Sequence, residues 1–251
     1  MLQTIKHYLK RIASPMAGHH LPKDLPREHA SLIRRIRDER LTYLSDAKLA
    51  ALANTCRSIE QQKLPGLFLE AGCALGGSAI LIASIKHRQR PLYVYDVFGM
   101  IPPPSDQDTD DVHDRYKTIV EGKSSGIDGD EYYGYKSNLY EEVQANLMRF
   151  GIHPKENSVW LIKGLLQETM HLTQPVALAH VDVDWYDPVM SCLQRVFPHL
   201  VVGGSIILDD YHDWGGCRKA TDEYLKTVRG QFALDDAAGS LKVTRVRKAL
   251  D

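Results

Sequence analysis

The sequence predicts a doubly wound α/β fold, a mostly parallel Rossmann-like sheet with helices on both faces. The apolar segment LFLEAG (67–72) is followed by a glycine-rich turn, a helical segment at 76–88 and a second apolar segment, PLYVYD (91–96). A strand, a glycine-rich turn, a helix and a strand in that order open such a sheet. Further apolar strands alternate with helical segments along the rest of the chain. Its 251 residues, 43% hydrophobic and 25% charged, are typical of one compact domain.

Three helices are expected before the first strand, at 1–13, at about 26–37 and at about 45–62. In the third of these, Ser45 is a plausible N-cap, and Leu49, Leu52 and Ile59 repeat at helical spacing. We therefore predict an N-terminal helical extension over 1–63 and the α/β domain over 64–251.

Regular patterning fails between about 97 and 136, where prolines, glycines and acidic residues are frequent. Residues 105–131 contain nine acidic side chains and three basic ones. A long irregular segment inside a compact domain is usually a lid over a site or a flexible insertion. Beyond it, the pattern predicts helices at about 137–150, 187–198 and 216–229, and strands at 157–162, 176–184, 201–210, 231–234 and 241–246.

Composition excludes several classes of protein. The formal net charge of −1 provides no general attraction for nucleic acid. No apolar run has the roughly 18 residues of a membrane-spanning helix, so stable membrane insertion is not expected. The cysteines lack metal-binding spacing and indicate reduced thiols in a cytoplasmic protein; they are Cys56, Cys73, Cys192 and Cys217. The amphipathic segment 1–13 favours docking on its own domain or on a partner subunit over a membrane surface.

Two acidic residues lie at the carboxyl ends of the first two strands. Glu70 begins the sequence Glu70-x-Gly72-x-x-x-Gly76-Gly77, whose spacing differs from the G-x-G-x-x-G fingerprint of nicotinamide oxidoreductases. A carboxylate at this place suits a cationic ligand, such as the ammonium or sulfonium of S-adenosylmethionine, better than a phosphate. Asp96 ends the second strand, where an acid commonly accepts ribose hydroxyls. Together they favour a nucleoside ligand over a packing turn with a solvated glutamate.

Four aspartates follow two later strands. Asp182 and Asp184 end one strand, and strand alternation directs both to one side. Asp209 and Asp210 end the next strand, and adjacent parallel strands bring the two pairs together. Carboxylates this close repel one another unless a cation compensates them, and an all-oxygen set favours Mg²⁺ or a similar ion. The alternative is an acidic rim that caps helices.

Other polar and aromatic residues leave their roles open. His180 lies in an apolar strand and is better explained as a core histidine than as a ligand. Residues 212–214 could face an acceptor or cap a loop. Tyr132, Tyr133 and Tyr135 could stack on a sugar or fix the insertion.

Five segments together resemble the metal-dependent sugar O-methyltransferases of macrolide and aminocoumarin biosynthesis, the macrocin, mycinamicin and noviose type. They are LFLEAGCALGGS (67–78), YDVFGMIPPP (95–104), IKGLLQET (162–169), HVDVDWY (180–186) and VVGGSIILDDYHDWGGCRKATDEY (201–224). The resemblance covers about 64–228 and implies a seven-stranded methyltransferase sheet, one of its strands antiparallel, and at least a dimer.

The resemblance also implies a cofactor, a metal and site residues. S-adenosylmethionine is expected to contact Glu70, Ala71, Gly72, Gly76, Ser78, Asp96, Phe98, Gly164 and Asp182. A divalent cation such as Mg²⁺ is expected on Asp182, Asp209 and Asp210, with Asp184 as the base that deprotonates a sugar hydroxyl.

Some residues differ from the family pattern, and these differences leave the identity of the acceptor open. The sequence has Ala71 and Cys73 in the glycine-rich turn and Val183 and Trp185 around Asp184, where the family has other residues. The acceptor is therefore left open between a sugar hydroxyl and a catechol-type phenol. A non-catalytic binding protein would be expected to have lost acids that this chain retains, and a metal hydrolase would not need Glu70 and Asp96.

Overall fold

The protein forms one seven-stranded sheet with the strand order β3-β2-β1-β4-β5-β7-β6. The structure is a computed structural model that describes residues 20–247, so the helix predicted at 1–13 lies outside the described residues. The strands are β1 Leu67–Ala71, β2 Leu92–Asp96, β3 Val159–Lys163, β4 Val176–Val181, β5 Leu200–Leu208, β6 Phe232–Asp235 and β7 Leu241–Arg245. Within this part of the chain, β7 alone runs in the direction opposite to the other six strands, as predicted.

Helices cover both faces of the sheet, which confirms the predicted doubly wound class. They are α1 Arg27–Asp38, α2 Asp46–Gln61, α3 Gly77–Ile85, α4 Asp110–Val120, α5 Leu139–Arg149, α6 Leu166–Thr169, α7 Tyr186–Val196 and α8 Gly215–Thr227. The predicted N-cap is confirmed, because the Ser45 hydroxyl accepts a hydrogen bond from Lys48 N at 3.3 Å. Helix α4 lies within the segment 97–136, where the sequence pattern predicted no regular structure. None of the helices within 20–247 is long and apolar enough to cross a membrane.

The central strands separate two hydrophobic cores. Phe68 of β1 points to the core under α1, α2, α3 and α5, while Leu67 and Leu69 point to the core under α7 and α8. Every residue of β1 and β4 is buried, as expected for parallel strands covered on both faces. Ile33 and Ile36 of α1 are fully buried in the first core, so the N-terminal helices pack as part of that helical layer.

The sheet reverses its winding between β1 and β4. The chain moves outward from β1 to β2 and β3, and then returns to place β4 on the other side of β1. Ala71 at the end of β1 pairs with Tyr95 of β2 and Val181 of β4, and Val181 pairs with Leu208 of β5. The residues that follow these strands therefore meet at one edge, where open α/β sheets bind ligands.

Candidate active site

A cavity opens at the carboxyl edge of β1, β2, β4 and β5. The predicted site residues that line it are Gly72, Asp96, Gly164, Asp182, Asp184 and Asp210. The other six predicted residues do not line it, namely Glu70, Ala71, Gly76, Ser78, Phe98 and Asp209. The sheet thus collects the predicted residues at one edge, with part of them directly on the cavity wall.

Asp96 holds the glycine-rich turn to the end of β2. Its Oδ2 accepts hydrogen bonds from Cys73 N at 2.8 Å and Ala74 N at 3.3 Å, and its Oδ1 accepts one from Phe98 N at 2.7 Å. Burial raises the pKa of Asp96, and these backbone donors offset part of that effect. Asp96 therefore organises the turn as well as lining the cavity.

The glycine-rich turn touches the backbone that carries the aspartates. Gly72 has a left-handed φ of +80°, and a Cβ placed on it would lie 2.0 Å from the carbonyl oxygen of Asp182. Asp182 N donates to the carbonyl oxygen of Ala71 at 2.8 Å. Only glycine fits this approach without displacing the Asp182 backbone.

Glu70 is directed into the protein interior, where it contacts His180 of the neighbouring strand. Glu70 Oε1 lies 3.2 Å from His180 Nδ1, and both side chains are fully buried. Burial lowers the pKa of His180, but the contact with Glu70 and the charges of Asp209 and Asp210 outweigh it, so that the pKa is raised. The interpretation of His180 as a core histidine agrees with this position, while a direct contact of Glu70 with the cofactor stays a prediction.

Three carboxylates form a cluster on the cavity wall. Asp182, Asp184 and Asp210 each provide an oxygen within 4.8 Å of the oxygens of the other two. Burial raises the pKa of Asp182 well above its ordinary value, and the charges of Asp210, Asp209 and Asp184 raise it further. An all-oxygen set with mutual repulsion fits a hard divalent cation, whose charge would offset the repulsion.

The predicted reason for this clustering was wrong in one respect. Strand β4 ends at Val181, so Asp182 and Asp184 lie beyond it, and strand alternation does not direct them. Asp184 instead has a left-handed φ of 56°, and α7 begins two residues later at Tyr186. A sharp turn between strand and helix brings the two carboxylates together.

Lys48 of α2 reaches the edge of this cluster, which the sequence did not predict. Its Nζ donates to Asp209 O at 2.9 Å, to Asp209 Oδ2 at 3.0 Å and to Asp213 Oδ2 at 3.0 Å. Ser240 Oγ donates to Asp209 Oδ1 at 2.9 Å. Asp209 is therefore fully buried between a lysine and a serine, and it forms a second set of close oxygens with Asp210 and Asp213.

Aromatic side chains form much of the remaining wall. The rings of Tyr132 and Tyr133 lie 4.5 Å apart, and those of Trp185 and Trp214 lie 6.0 Å apart. Tyr135 is different, because its hydroxyl donates to Ile119 O at 2.7 Å and so fixes the insertion. Tyr132 and Tyr133 thus line the cavity, whereas Tyr135 fixes the insertion, and the sequence alone did not distinguish these roles.

The insertion that contains α4 is fastened to the helices that follow the aspartates. Asp108 Oδ1 accepts from Tyr186 N at 2.7 Å, and Asp111 Oδ2 accepts from Gly215 N at 3.0 Å. A Cβ on Gly216 would lie 2.2 Å from Asp108 Oδ1, so a larger residue there would displace the Asp108 carboxylate. Two carboxylates of the insertion therefore cap the first turns of α7 and α8.

Comparison with known proteins assigns this chain to a family. The sequence matches the macrocin O-methyltransferase (TylF) family over residues 38–232. The chain belongs to that family. It is an O-methyltransferase, as the resemblance implied, and the match begins within the predicted N-terminal extension.

Known relatives are about one-quarter identical to the chain over the aligned segments. It is 26% identical over 202 residues to the demethyldecarbamoylnovobiocin O-methyltransferase of Streptomyces niveus, covering 78% of this chain and 70% of the relative. It is 28% identical over 189 residues to the mycinamicin III 3''-O-methyltransferase of Micromonospora griseorubida, covering 73% of this chain and 69% of that enzyme.

Solved structures have the same fold. The O-methyltransferase NovP superposes with a TM-score of 0.68 at 22% identity, over 82% of this chain and 83% of NovP. The Podospora anserina methyltransferase PaMTH1, solved with S-adenosylhomocysteine bound, superposes with a TM-score of 0.54 at 14% identity, over 98% of this chain and 96% of that one. The fold is that of S-adenosylmethionine-dependent methyltransferases.

Proposed function

We propose that the protein transfers a methyl group from S-adenosylmethionine to a hydroxyl of a sugar carried by a small molecule, with the help of a divalent cation such as Mg²⁺. One observation supports this most directly. The carboxylate cluster of Asp182, Asp184 and Asp210 lines the same cavity as the glycine-rich turn that follows β1. The name of a third relative supports a sugar as the acceptor, since it is an 8-demethyl-8-(2,3-dimethoxy-alpha-L-rhamnosyl)-tetracenomycin-C 4'-O-methyltransferase, from Streptomyces olivaceus.

The residues divide into a cofactor side and an acceptor side. Asp96 and Gly72 belong to the cofactor side, where the turn lies against β2. S-adenosylmethionine supplies a methyl carbon on a positively charged sulfur, which leaves as a neutral thioether. Residues of the insertion, among them Ile101, Pro102 and Tyr133, line the cavity.

The cation would be held by Asp182 and Asp210. Asp209 would also hold it if its carboxylate bound the cation in place of Lys48 or bound both. It would lower the pKa of an acceptor hydroxyl and hold that oxygen near the methyl group. The carboxylate of Asp184 accepts the hydroxyl proton, and its left-handed turn sets its direction. Family membership argues against the hydrolase, oxidoreductase and non-catalytic alternatives, but a catechol-type acceptor remains the second candidate because a metal suits it too.

Methyl transfer from labelled S-adenosylmethionine to a panel of glycosides and catechols tests the proposal. We expect transfer to glycosides, loss of transfer with EDTA and recovery when Mg²⁺ is added back. Calorimetric titration with Mn²⁺ gives a readout of the cation that does not depend on turnover. Transfer to catechols alone would contradict the proposed sugar acceptor. Transfer that EDTA leaves unchanged would contradict the proposed metal.

The proposed assembly is at least a dimer. The family resemblance and the amphipathic segment 1–13 support it, and light scattering measures it directly. A strict monomer near 28 kDa at micromolar concentration would refute the proposal.

A further inference from the structure

Lys48 lies where a lysine is not expected. It is in the first turn of α2, where the partial positive charge of the helix N-terminus disfavours a cation. Its side chain is 9% exposed, although a lysine normally keeps its ammonium group in water. Since the adjacent Leu49 is fully buried, the packing of α2 fixes this position. A residue that conflicts with local preferences in two ways is expected where distant partners or a function compensate the cost.

The partners of Lys48 are carboxylates that follow β5. Its three N–H donors match the three oxygens to which Nζ donates, namely Asp209 O at 2.9 Å, Asp209 Oδ2 at 3.0 Å and Asp213 Oδ2 at 3.0 Å. The ammonium thus joins the first and the fifth residue of the turn after β5. Because Asp209 is fully buried, this ion pair offsets the cost of burying its charge.

Asp210 connects the Lys48 ion pairs to the cavity. It belongs to both sets of close carboxylate oxygens, the one on the cavity wall and the one that contains the partners of Lys48. In each set the oxygens lie within 4.8 Å of one another. The ammonium and a divalent cation on the cavity wall would therefore act on neighbouring carboxylates. At this range two cations also repel each other, and the repulsion is strong where water is excluded.

Two opposite effects of Lys48 on the divalent cation follow from this geometry. The lysine holds the turn that carries Asp210, which favours cation binding, and it brings a like charge, which disfavours it. The turn also has contacts that do not involve Lys48. Asp213 N donates to Asp210 O at 3.0 Å. Ser240 Oγ donates to Asp209 Oδ1 at 2.9 Å. Because these contacts hold the turn without the lysine, the charge decides the sign.

We propose that Lys48 balances the charge of the cation site, stabilising the carboxylates after β5 and weakening their affinity for the divalent cation. This inference rests on the cation of the proposed function. Without the ammonium, the carboxylates bind the cation more tightly, and the stability of the fold depends on it more. The helices that precede β1 thereby contribute to the cation site through α2.

Lys48→Gln tests the proposal, because it removes the charge and keeps a hydrogen-bond donor. In EDTA its melting temperature should fall by roughly 6–20 °C, since a buried ion pair loses one partner. Calorimetric titration should give a Kd for Mn²⁺ at least about threefold lower than that of the parent protein. The gain in melting temperature on adding Mn²⁺ should then exceed the parent's gain by about 1–3 °C. If the variant does not fold in EDTA, it should fold cooperatively with Mn²⁺.

Two control variants separate charge from packing. Lys48→Arg keeps the charge and should bind Mn²⁺ within about twofold of the parent. Lys86→Gln removes another buried lysine, whose Nζ donates to Asn157 O at 2.6 Å and to Arg88 O at 3.3 Å. Lys86 follows α3 and precedes β2, at the edge of the sheet opposite the cavity. This variant should melt at a lower temperature, with the parent's affinity for Mn²⁺ and the parent's gain on adding it.

The failure of the inference and that of the proposed cation give different results. Unchanged or weaker Mn²⁺ binding by Lys48→Gln, the same Mn²⁺ gain as Lys86→Gln, or no folding even with Mn²⁺ overturns the inference and leaves the proposed cation intact. A parent protein that shows neither a calorimetric signal nor a gain in melting temperature with Mn²⁺ overturns the proposed cation and the inference with it.

Discussion

Replacing Gly72 by alanine tests whether the glycine-rich turn and the backbone of Asp182 are in contact. The added Cβ would lie 2.0 Å from the carbonyl oxygen of Asp182 and 3.0 Å from Val183 Cγ1. A carbon and a carbonyl oxygen normally approach to about 3.3 Å, so one of them must move by about 1.3 Å. The backbone of Asp182 and the turn that binds Asp96 are the two parts that can shift.

The expected destabilisation has two parts. A non-glycine residue in the left-handed region costs about 1–2 kcal/mol, and the steric overlap adds about 1–3 kcal/mol. For a chain of this size, 1 kcal/mol lowers the melting temperature by about 2–4 °C. Gly72→Ala should therefore lower it by roughly 5–15 °C, and turnover should fall by about 10²-fold because a reacting group is displaced by about 1 Å.

Gly151→Ala is the matched control. Gly151 also has a left-handed φ, +76°, but a Cβ there would have nothing within 4 Å. It should show the conformational cost alone, a loss of about 2–8 °C, with unchanged calorimetric affinities for S-adenosylhomocysteine and Mn²⁺. If Gly72→Ala matches Gly151→Ala in melting temperature and in both affinities, the inferred contact between the turn and Asp182 is refuted.

Three further variants test the chemistry and the insertion. Asp184→Asn should lower turnover by about 10²–10⁴-fold with little change in melting temperature, since Asn tolerates a left-handed φ; an active but less stable variant would contradict a base. Asp210→Asn should weaken Mn²⁺ binding in calorimetry, and excess Mg²⁺ should restore part of the activity; unchanged Mn²⁺ affinity would remove Asp210 from the cation site. Gly216→Ala should displace Asp108 and loosen the insertion, seen as faster proteolysis within 97–136; parent-like proteolysis would argue against docking at α8.

Much of the fold could be predicted because its signals are local. The strands LFLEA and VALAHV are buried on both faces and read as apolar runs, and Ser45 marks the start of α2 by its own hydrogen bond. Helix α4 was missed because the prolines before it and the glycines after it predict an irregular segment, although Asp110 and Asp111 in its first turn favour a helix. Its position depends on distant contacts with the first turns of α7 and α8.

The site could be predicted only as far as strand ends determine it. The sheet order brings Asp96, Asp182 and Asp210 to one cavity, as the spacing of strands and acids indicated. Lys48 was missed because a lysine on a helix gives no local sign that it will bind Asp209, 161 residues later. The inward direction of Glu70 was missed for a similar reason, since its partner His180 lies 110 residues away.

The topology explains why the glycine-rich turn and the acidic cluster are in contact. Because β1 lies between β2 and β4, the turn after β1 is bonded to both neighbours, through Gly72 N to Tyr95 O at 2.8 Å and Asp182 N to Ala71 O at 2.8 Å. The close approach of Gly72 to Asp182 therefore follows from the register of β1 and β4, without any further contact being needed to produce it. A sheet that reverses its winding at β1 must bring the segments after β1 and after β4 to the same place. In this chain those segments are the turn proposed to bind the methyl donor and the carboxylates proposed to activate an acceptor, so the proposed reaction is positioned by strand order itself.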